Sequence, residues 1–282
     1  MKVLVTGLNG FTGRHLAAEL LAAGHSVVGL KSDLLNFDGV LEEVRDSKPD
    51  AVVHLAGISF VAHGDINKIY NVNILGARNL LVAIDKFIPN VGLVMLASSA
   101  NVYGNQDELL SESAPLRPLN DYAVSKLAME CMAKTWLDRL PITIVRPFNY
   151  TGVGQSKSFL IPKIIEHYRL RKSEIELGNV DIARDFSDVR DVVTAYRLLL
   201  EKKISGEIFN ICSGKAVELG KLLKTCSEIS GHYIEVVKND AYIRNNEIKC
   251  LVGDNTKIRN STGLQLGYNL NDTLEWMLND VG

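Results

Sequence analysis

Cysteine is scarce in this chain, and none of it is placed for metal or disulfide chemistry. Cys131, Cys212, Cys226 and Cys250 stand apart, with no Cys-x-x-Cys and no histidine at ligand spacing. That pattern argues against a zinc module and a disulfide framework, so no metal is expected and the thiols read as reduced packing residues. Positive charge is not in excess either: 31 Lys and Arg against 33 Asp and Glu leave a net charge of −2. Without a broad basic field, neither nucleic acid nor an anionic membrane is an expected partner, and any anion must be bound by a local site. Long apolar runs are missing as well, and Met1-Lys2 leads straight into a strand with no cleavable apolar segment. The expectation is a soluble, cytoplasmic protein. What is present, 46% hydrophobic and 23% charged residues over 282 positions, suffices for a large core in one or two domains.

Glycine, by contrast, is concentrated where it carries information. Val3-Leu4-Val5-Thr6 runs into Gly7-Leu8-Asn9-Gly10-Phe11-Thr12-Gly13, and an amphipathic stretch with Leu16, Leu20 and Leu21 follows. Taken alone, three glycines describe any strand-to-helix turn. A β-branched run before the turn and a helix after it make a phosphate cradle, in which backbone N–H groups and the positive helix end meet a pyrophosphate. The chain therefore reads as a dinucleotide binder.

Short apolar strands then alternate with helix-period segments: Ser26–Leu30, Ala51–Leu55, Leu93–Ala97 and Ile142–Arg146. This order predicts an α/β fold, a doubly wound parallel sheet with right-handed crossovers. After Pro147 strand-like pieces at Ile175–Leu177, Ile208–Ile211 and Ile234–Val237 are separated by longer polar stretches. The expected division is a dinucleotide-binding domain over 1–147, to which part of 182–211 returns, and a smaller C-terminal α/β substrate domain over 148–282.

Tyr122-Ala123-Val124-Ser125-Lys126 lies on a helix capped by Asn120 or Asp121. Positions i and i+4 share a face, so the Lys126 ammonium lies near the Tyr122 phenol. A neighbouring cation favours the phenolate and suits the pair to proton transfer. Upstream, Leu93-Val94-Met95-Leu96-Ala97-Ser98-Ser99 is a buried strand ending in hydroxyls, at the sheet edge where ligands bind. No Gly-x-Ser-x-Gly elbow surrounds Ser99, so it reads as a carbonyl polariser and not as a nucleophile.

With the glycine turn, Ser99 and Tyr-x-x-x-Lys in this order, the chain resembles the extended short-chain dehydrogenases/reductases that act on nucleotide sugars, a family with a Rossmann-like sheet. The likeness covers nearly the whole chain and includes His54-Leu55-Ala56-Gly57, Asn73 within Asn71-Val72-Asn73-Ile74-Leu75-Gly76, Ser98-Ser99-Ala100-Asn101-Val102-Tyr103-Gly104 and Arg146-Pro147-Phe148-Asn149. Tyr150-Thr151-Gly152-Val153-Gly154-Gln155, Leu177-Gly178-Asn179-Val180-Asp181 and Arg184-Asp185-Phe186 are similar to the GDP-sugar members, the GDP-mannose 4,6-dehydratases and GDP-4-keto-6-deoxymannose reductases. The resemblance implies catalysis by Ser99, Tyr122 and Lys126. It implies a dinucleotide along Gly7, Asn9, Gly10, Phe11, Thr12, Gly13, Lys31, Asp33, Leu34, Leu55, Ala56, Gly57, Tyr122, Lys126 and Phe148. Ser99, Asn149, Arg184, Arg244 and Glu247 would meet the sugar, its diphosphate and the nucleoside ribose. Asn73 would be a structural bridge beside the site.

Two departures narrow the reading. The dehydratases carry acids after the active-site hydroxyl, because eliminating water needs an acid and a base beyond the Tyr–Lys pair. Here those positions are Ala100 and Asn101. After the second strand, where an NAD-selective fold places Asp or Glu, the chain has Leu30-Lys31-Ser32-Asp33-Leu34. Lys31 can pair with a 2′-phosphate, which favours NADP(H) over NAD(H). The expected function is reduction of a GDP- or dTDP-linked 4-keto-6-deoxyhexose. The alternatives are a nucleotide-sugar 4-epimerase with tightly bound NAD and, third, a non-catalytic dinucleotide sensor. Helices over Tyr70–Phe87 and Tyr122–Trp136, with Leu127, Met129, Met132 and Trp136, offer apolar surface for a homodimer.

Overall fold

The computed structural model describes residues 1–59, 65–106, 108–242 and 248–280. In chain order the elements are β1 (Lys2–Thr6), α1 (Phe11–Ala22), β2 (Ser26–Leu30), α2 (Phe37–Ser47), β3 (Ala51–His54) and α3 (Ile66–Tyr70). A π-helical turn at Asn71–Gly76 joins α3 to α4 (Ala77–Phe87); β4 (Leu93–Ala97), a 3₁₀ turn at Ala100–Tyr103, α5 (Asp121–Lys134) and β5 (Ile142–Pro147) follow. Then come β6 (Asn149–Thr151), α6 (Leu160–Arg169), β7 (Glu174–Leu177), β8 (Ala183–Asp188), α7 (Val189–Lys202) and β9 (Ile208–Ile211). The chain closes with β10 (Ala216–Glu218), α8 (Leu219–Ser230), β11 (Glu235–Lys238), β12 (Cys250–Leu251), α9 (Thr256–Thr262) and α10 (Leu270–Asn279).

Six strands form the central sheet in the order β2-β1-β3-β4-β5-β9, every neighbouring pair parallel. Its strands are mostly apolar because both faces are covered, and successive side chains point to opposite sides. Val3, Val5, Val53, Met95, Val145 and Phe209 pack under α1 and α7. Leu4, Val52, Val94, Leu96 and Ile144 pack under α2, α4 and α5. The expected Rossmann-like doubly wound sheet is therefore observed, and β9 supplies its last strand after the excursion through β6, β7 and β8. No described helix is long and apolar enough to cross a membrane.

The second layer centres on β8, antiparallel to β10 and parallel to β12 and β6. A separate core of Ile161, Ile164, Ile165, Ile175, Leu222 and Leu274 holds α6, α8, α10 and β7 together. The last of the expected strands sits one residue later than its sequence pattern, because Ile234 is spent in this core before β11 begins.

Two expectations need correction. The segment Tyr70–Phe87 is not one regular helix: the π turn inserts an extra residue, a device common near functional sites. Met129 and Trp136 are not interface surface either, since both are buried against the sheet beside Leu140 and Ile142. The large apolar side chains exposed along α3, the π turn and α5 are Ile66, Leu75 and Val124.

Candidate functional site

The glycine turn is built as its residues dictate. Gly7 adopts φ 73°, the left-handed region that glycine enters without strain, and a Cβ there would stand 3.0 Å from the Ala56 nitrogen. Gly13 lets α1 close on the turn, because its Cβ would lie 2.3 Å from the Gly7 oxygen. Gly10 is the N-cap of α1 and offers no side-chain oxygen to the first-turn N–H groups, which leaves those donors and the helix dipole for an anion. The Asn9 carbonyl accepts from Arg14 at 3.1 Å. The Phe11 ring stacks on Tyr150 at 6.0 Å, and the Thr12 and Tyr150 hydroxyls are 2.7 Å apart, which ties the turn to β6.

Beside this turn, Thr6 Oγ1 accepts from the Ala56 N–H at 3.1 Å and pairs with His54 Nδ1 at 2.8 Å. Burial, helped by the Lys126 charge, pushes His54 down to about 3, which keeps its imidazole neutral at neutral pH. Leu55 and Ala56 are half-buried and Gly57 is exposed. A Cβ on Gly57 would meet Asn73 Oδ1 at 2.9 Å and Lys126 Nζ at 3.2 Å, so the Lys126 head sits directly over this glycine. Asn73 is the expected bridge in geometry: its Oδ1 accepts from Ile58 N at 2.9 Å, and its Nδ2 donates to Ser125 Oγ at 3.0 Å.

Helix α5 begins at the Asn120 cap, whose side chain accepts from Ala123 N at 2.9 Å. One face of this helix grips three successive residues at the end of β4. Tyr122 meets Ser99, Lys126 Nζ donates to the Ala97 carbonyl at 2.8 Å, and Glu130 accepts from the Ser98 hydroxyl at 2.5 Å. Ser99 Oγ itself accepts from the Asn101 N–H and Nδ2, each at 3.2 Å. Burial pushes the Tyr122 phenol up to about 12, against a hydrogen bond with Ser99 that favours the phenolate. The expectation of a depressed phenol is therefore corrected: burial dominates, and Lys126 is itself pushed down to about 8 by burial while it donates to Ala97.

Sequence reasoning missed the group behind this face. Arg146, 1% exposed, makes a bidentate pair with Glu130 at 2.9 and 2.6 Å and donates to the Tyr103 hydroxyl at 2.9 Å. Tyr103 in turn donates to Asn210 Oδ1 at 2.7 Å, so one satisfied polar network joins β4, α5, β5 and β9. The available signal was a carboxylate four residues beyond Lys126, on the helix face that must be buried.

Other expected contacts divide. Leu34 is buried beneath Asn79, which donates to its carbonyl at 2.9 Å, and Asp33 caps the Leu35 N–H at 2.9 Å. Lys31 is exposed. The Phe148 ring does not join the group around Tyr122; it packs with Tyr103, Cys212 and Leu251 in a small core, so what it offers a ligand is backbone. Asn149 stands opposite Phe186 across the β6–β8 pair, and its Nδ2 is buried without a hydrogen-bond partner among the described residues. That is an orphan donor of the kind a ligand satisfies. Arg184, two residues before Phe186 and so on the same face, donates to the Ala183 and Lys249 carbonyls. Arg244 and Glu247 lie outside the described residues. Among the described residues no three His, Cys, Asp or Glu side chains are grouped to hold a metal.

The pieces fit a dinucleotide: an uncapped helix N-terminus behind a turn that only glycine can make, and a tyrosine, lysine and serine set at the carboxyl edge of the same sheet. Relatives agree. The chain is 37% identical over 270 residues to the GDP-6-deoxy-D-talose 4-dehydrogenase of Aggregatibacter actinomycetemcomitans, covering 93% of this chain and 92% of that one. It is 34% identical over 296 residues to the GDP-6-deoxy-D-mannose reductase of Pseudomonas aeruginosa, covering 99% and 96%. The structure of RMD from Pseudomonas aeruginosa complexed with NADPH superposes with a TM-score of 0.89 at 32% identity, covering 98% and 96% of the two chains. Residues 3–212 match the NAD dependent epimerase/dehydratase family, and the chain belongs to it.

Proposed function

We propose that the protein is an NAD(P)H-dependent 4-ketoreductase of a nucleoside-diphosphate 4-keto-6-deoxyhexose, working in deoxysugar biosynthesis. Both curated relatives above act on GDP-linked 6-deoxyhexoses by name, which puts GDP before dTDP. The observation that carries the reading is geometric: the Tyr122 phenol meets Ser99 at the carboxyl end of β4, with Lys126 one helical turn further along α5 on the Ala97 carbonyl. A carbonyl being reduced needs a proton donor there, not a base.

When bound, the reduced dinucleotide supplies a hydride to C4 of the sugar. Tyr122 gives its proton to the oxygen that becomes a hydroxyl, and Ser99 donates a hydrogen bond to the same oxygen as its charge develops. Lys126, over Gly57 and beside the β4 end, holds the ribose of the cofactor and restores the proton of Tyr122. Gly7, Asn9, Gly10, Phe11, Thr12 and Gly13 hold the pyrophosphate, and Leu55, Ala56, Gly57 and the Phe148 backbone flank it. Asn149 directs its unpaired Nδ2 to the sugar or its phosphates, and Arg184, Arg244 and Glu247 complete the nucleotide-sugar site. In this arrangement 1–147, with part of 182–211, carries the dinucleotide and 148–282 mainly the sugar nucleotide. Lys31 favours NADP(H).

The expected result in solution is consumption of a GDP-linked 4-keto-6-deoxyhexose with NADPH and no interconversion of UDP-glucose and UDP-galactose. Interconversion by protein that retains NAD through purification would instead establish a 4-epimerase. We place the enzyme in the cytoplasm and propose a homodimer through α3, the π turn, α4 and α5, along which Ile66, Leu75 and Val124 are 51%, 49% and 38% exposed. A monomer mass at micromolar concentration by light scattering would refute the dimer.

A further inference from the structure

The end of β2 has no acid to offer an adenosine ribose, yet a carboxylate reaches that place from α2. Glu43 Oε2 accepts from the Lys31 N–H at 2.8 Å, and its Oε1 accepts from the Ser32 N–H at 2.7 Å and the Ser32 hydroxyl at 2.6 Å. Burial works to raise this carboxyl, but the hydrogen bonds and the Lys31 charge hold it below the usual carboxylate range. Two successive backbone N–H groups and a hydroxyl around one anion constitute an anion nest, and the Lys31 charge adds to its pull on the anion.

Gly39 makes the approach possible. It lies one turn before Glu43 on the same face of α2, and a Cβ there would stand 2.6 Å from Ser32 Oγ. The location has a defined meaning in a sheet of this kind. β2 runs parallel to β1 with Leu30 opposite Thr6, so Lys31 and Ser32 lie beside the Gly7 turn. A dinucleotide whose pyrophosphate rests on α1 puts its adenosine ribose beyond the end of this second strand.

We propose that the nest of Lys31 and Ser32 is the 2′-phosphate site of NADP(H), and that Glu43 is its built-in competitor, held in the nest until the phosphate displaces it. The proposal rests on the reading that the chain binds NAD(P)H and adds the residue that sets its choice between the two forms. A 2′-phosphate brings more charge and more acceptor oxygens than a carboxylate, so it can take the same three donors and pair with the Lys31 ammonium as well. Its binding must first expel Glu43 and then leave that charge nearby. A bare ribose needs no such exchange, because its 2′-hydroxyl donates to Glu43 where it stands.

The two cofactors therefore respond differently to Glu43. In fluorescence titrations of the full-length protein, Glu43→Gln should tighten NADPH about tenfold, the equivalent of about 1.4 kcal/mol, and leave NADH unchanged or weaker. Adenosine 2′,5′-bisphosphate, which lacks the nicotinamide half, should gain by the same factor over ADP. Ser32→Ala, which removes one donor and keeps Glu43, should weaken NADPH and the bisphosphate without changing NADH, and Lys31→Asp should do so more strongly. An unchanged NADPH to NADH ratio in both Glu43→Gln and Ser32→Ala would overturn the proposal while dinucleotide binding itself stands. Wild-type protein that binds neither dinucleotide would overturn the functional reading, a separate outcome.

Discussion

Tyr122→Phe should lower kcat by at least about 100-fold, the smallest contribution expected of a positioned general acid, while dinucleotide and nucleotide-sugar affinities stay within about twofold of wild type. The substitution removes only the hydroxyl. The ring, its burial and the α5 helix that carries it remain, so the loss should fall on the step that consumes the proton. Steady-state rates with the 4-keto sugar nucleotide, read beside equilibrium titrations of each ligand, separate the two effects. A variant that keeps most of its kcat would remove Tyr122 from the chemistry and leave Ser99 with no donor to assist.

The second large effect is on stability. Arg146 and Glu130 are both sealed from solvent, and removing one partner of a buried pair leaves the other charge uncompensated, at about 3–5 kcal/mol. Glu130→Ala should therefore lower unfolding stability in urea by about that amount. It also removes the acceptor of the Ser98 hydroxyl, so the end of β4 loses one of its three anchors to α5. Replacing Glu130 and Arg146 together by apolar residues of similar volume should recover most of the loss, since no orphan charge then remains. A cost for Glu130→Ala of under about 1 kcal/mol, in the range of an exposed pair, would mean that water reaches Arg146 in solution.

The strands of the central sheet were legible because each of their residues answers to a local rule. After Ser26 the strand Ser26–Leu30 is apolar, as is all of Leu93–Ala97, and the structure begins and ends both strands at those residues. The glycine turn was legible for the same reason, since Gly7 and Gly13 report on backbone geometry one turn away. The residues that escaped pattern reading depend on distant partners. Tyr122 and Lys126 have the expected spacing, but the direction of the phenol shift follows from burial by neighbours far along the chain. Phe148 sits in a motif that suggests a ligand contact, and only its packing against Tyr103 and Cys212 shows where its ring goes. Glu43 looks like one more charge on the polar face of α2 until the fold folds that helix back over Lys31 and Ser32. Lys31 was read from its charge alone, whereas in the fold its backbone N–H holds Glu43.

Net hydride transfer to C4 of the sugar can be followed by isotopic labelling. Reduced cofactor deuterated at the transferring position of its nicotinamide ring is supplied with a nucleoside-diphosphate 4-keto-6-deoxyhexose, and the product is read by proton NMR and mass spectrometry. One deuterium at C4 is expected for each product molecule, with one cofactor oxidised for each sugar reduced. A product without deuterium, formed while the added cofactor stays reduced, would contradict it.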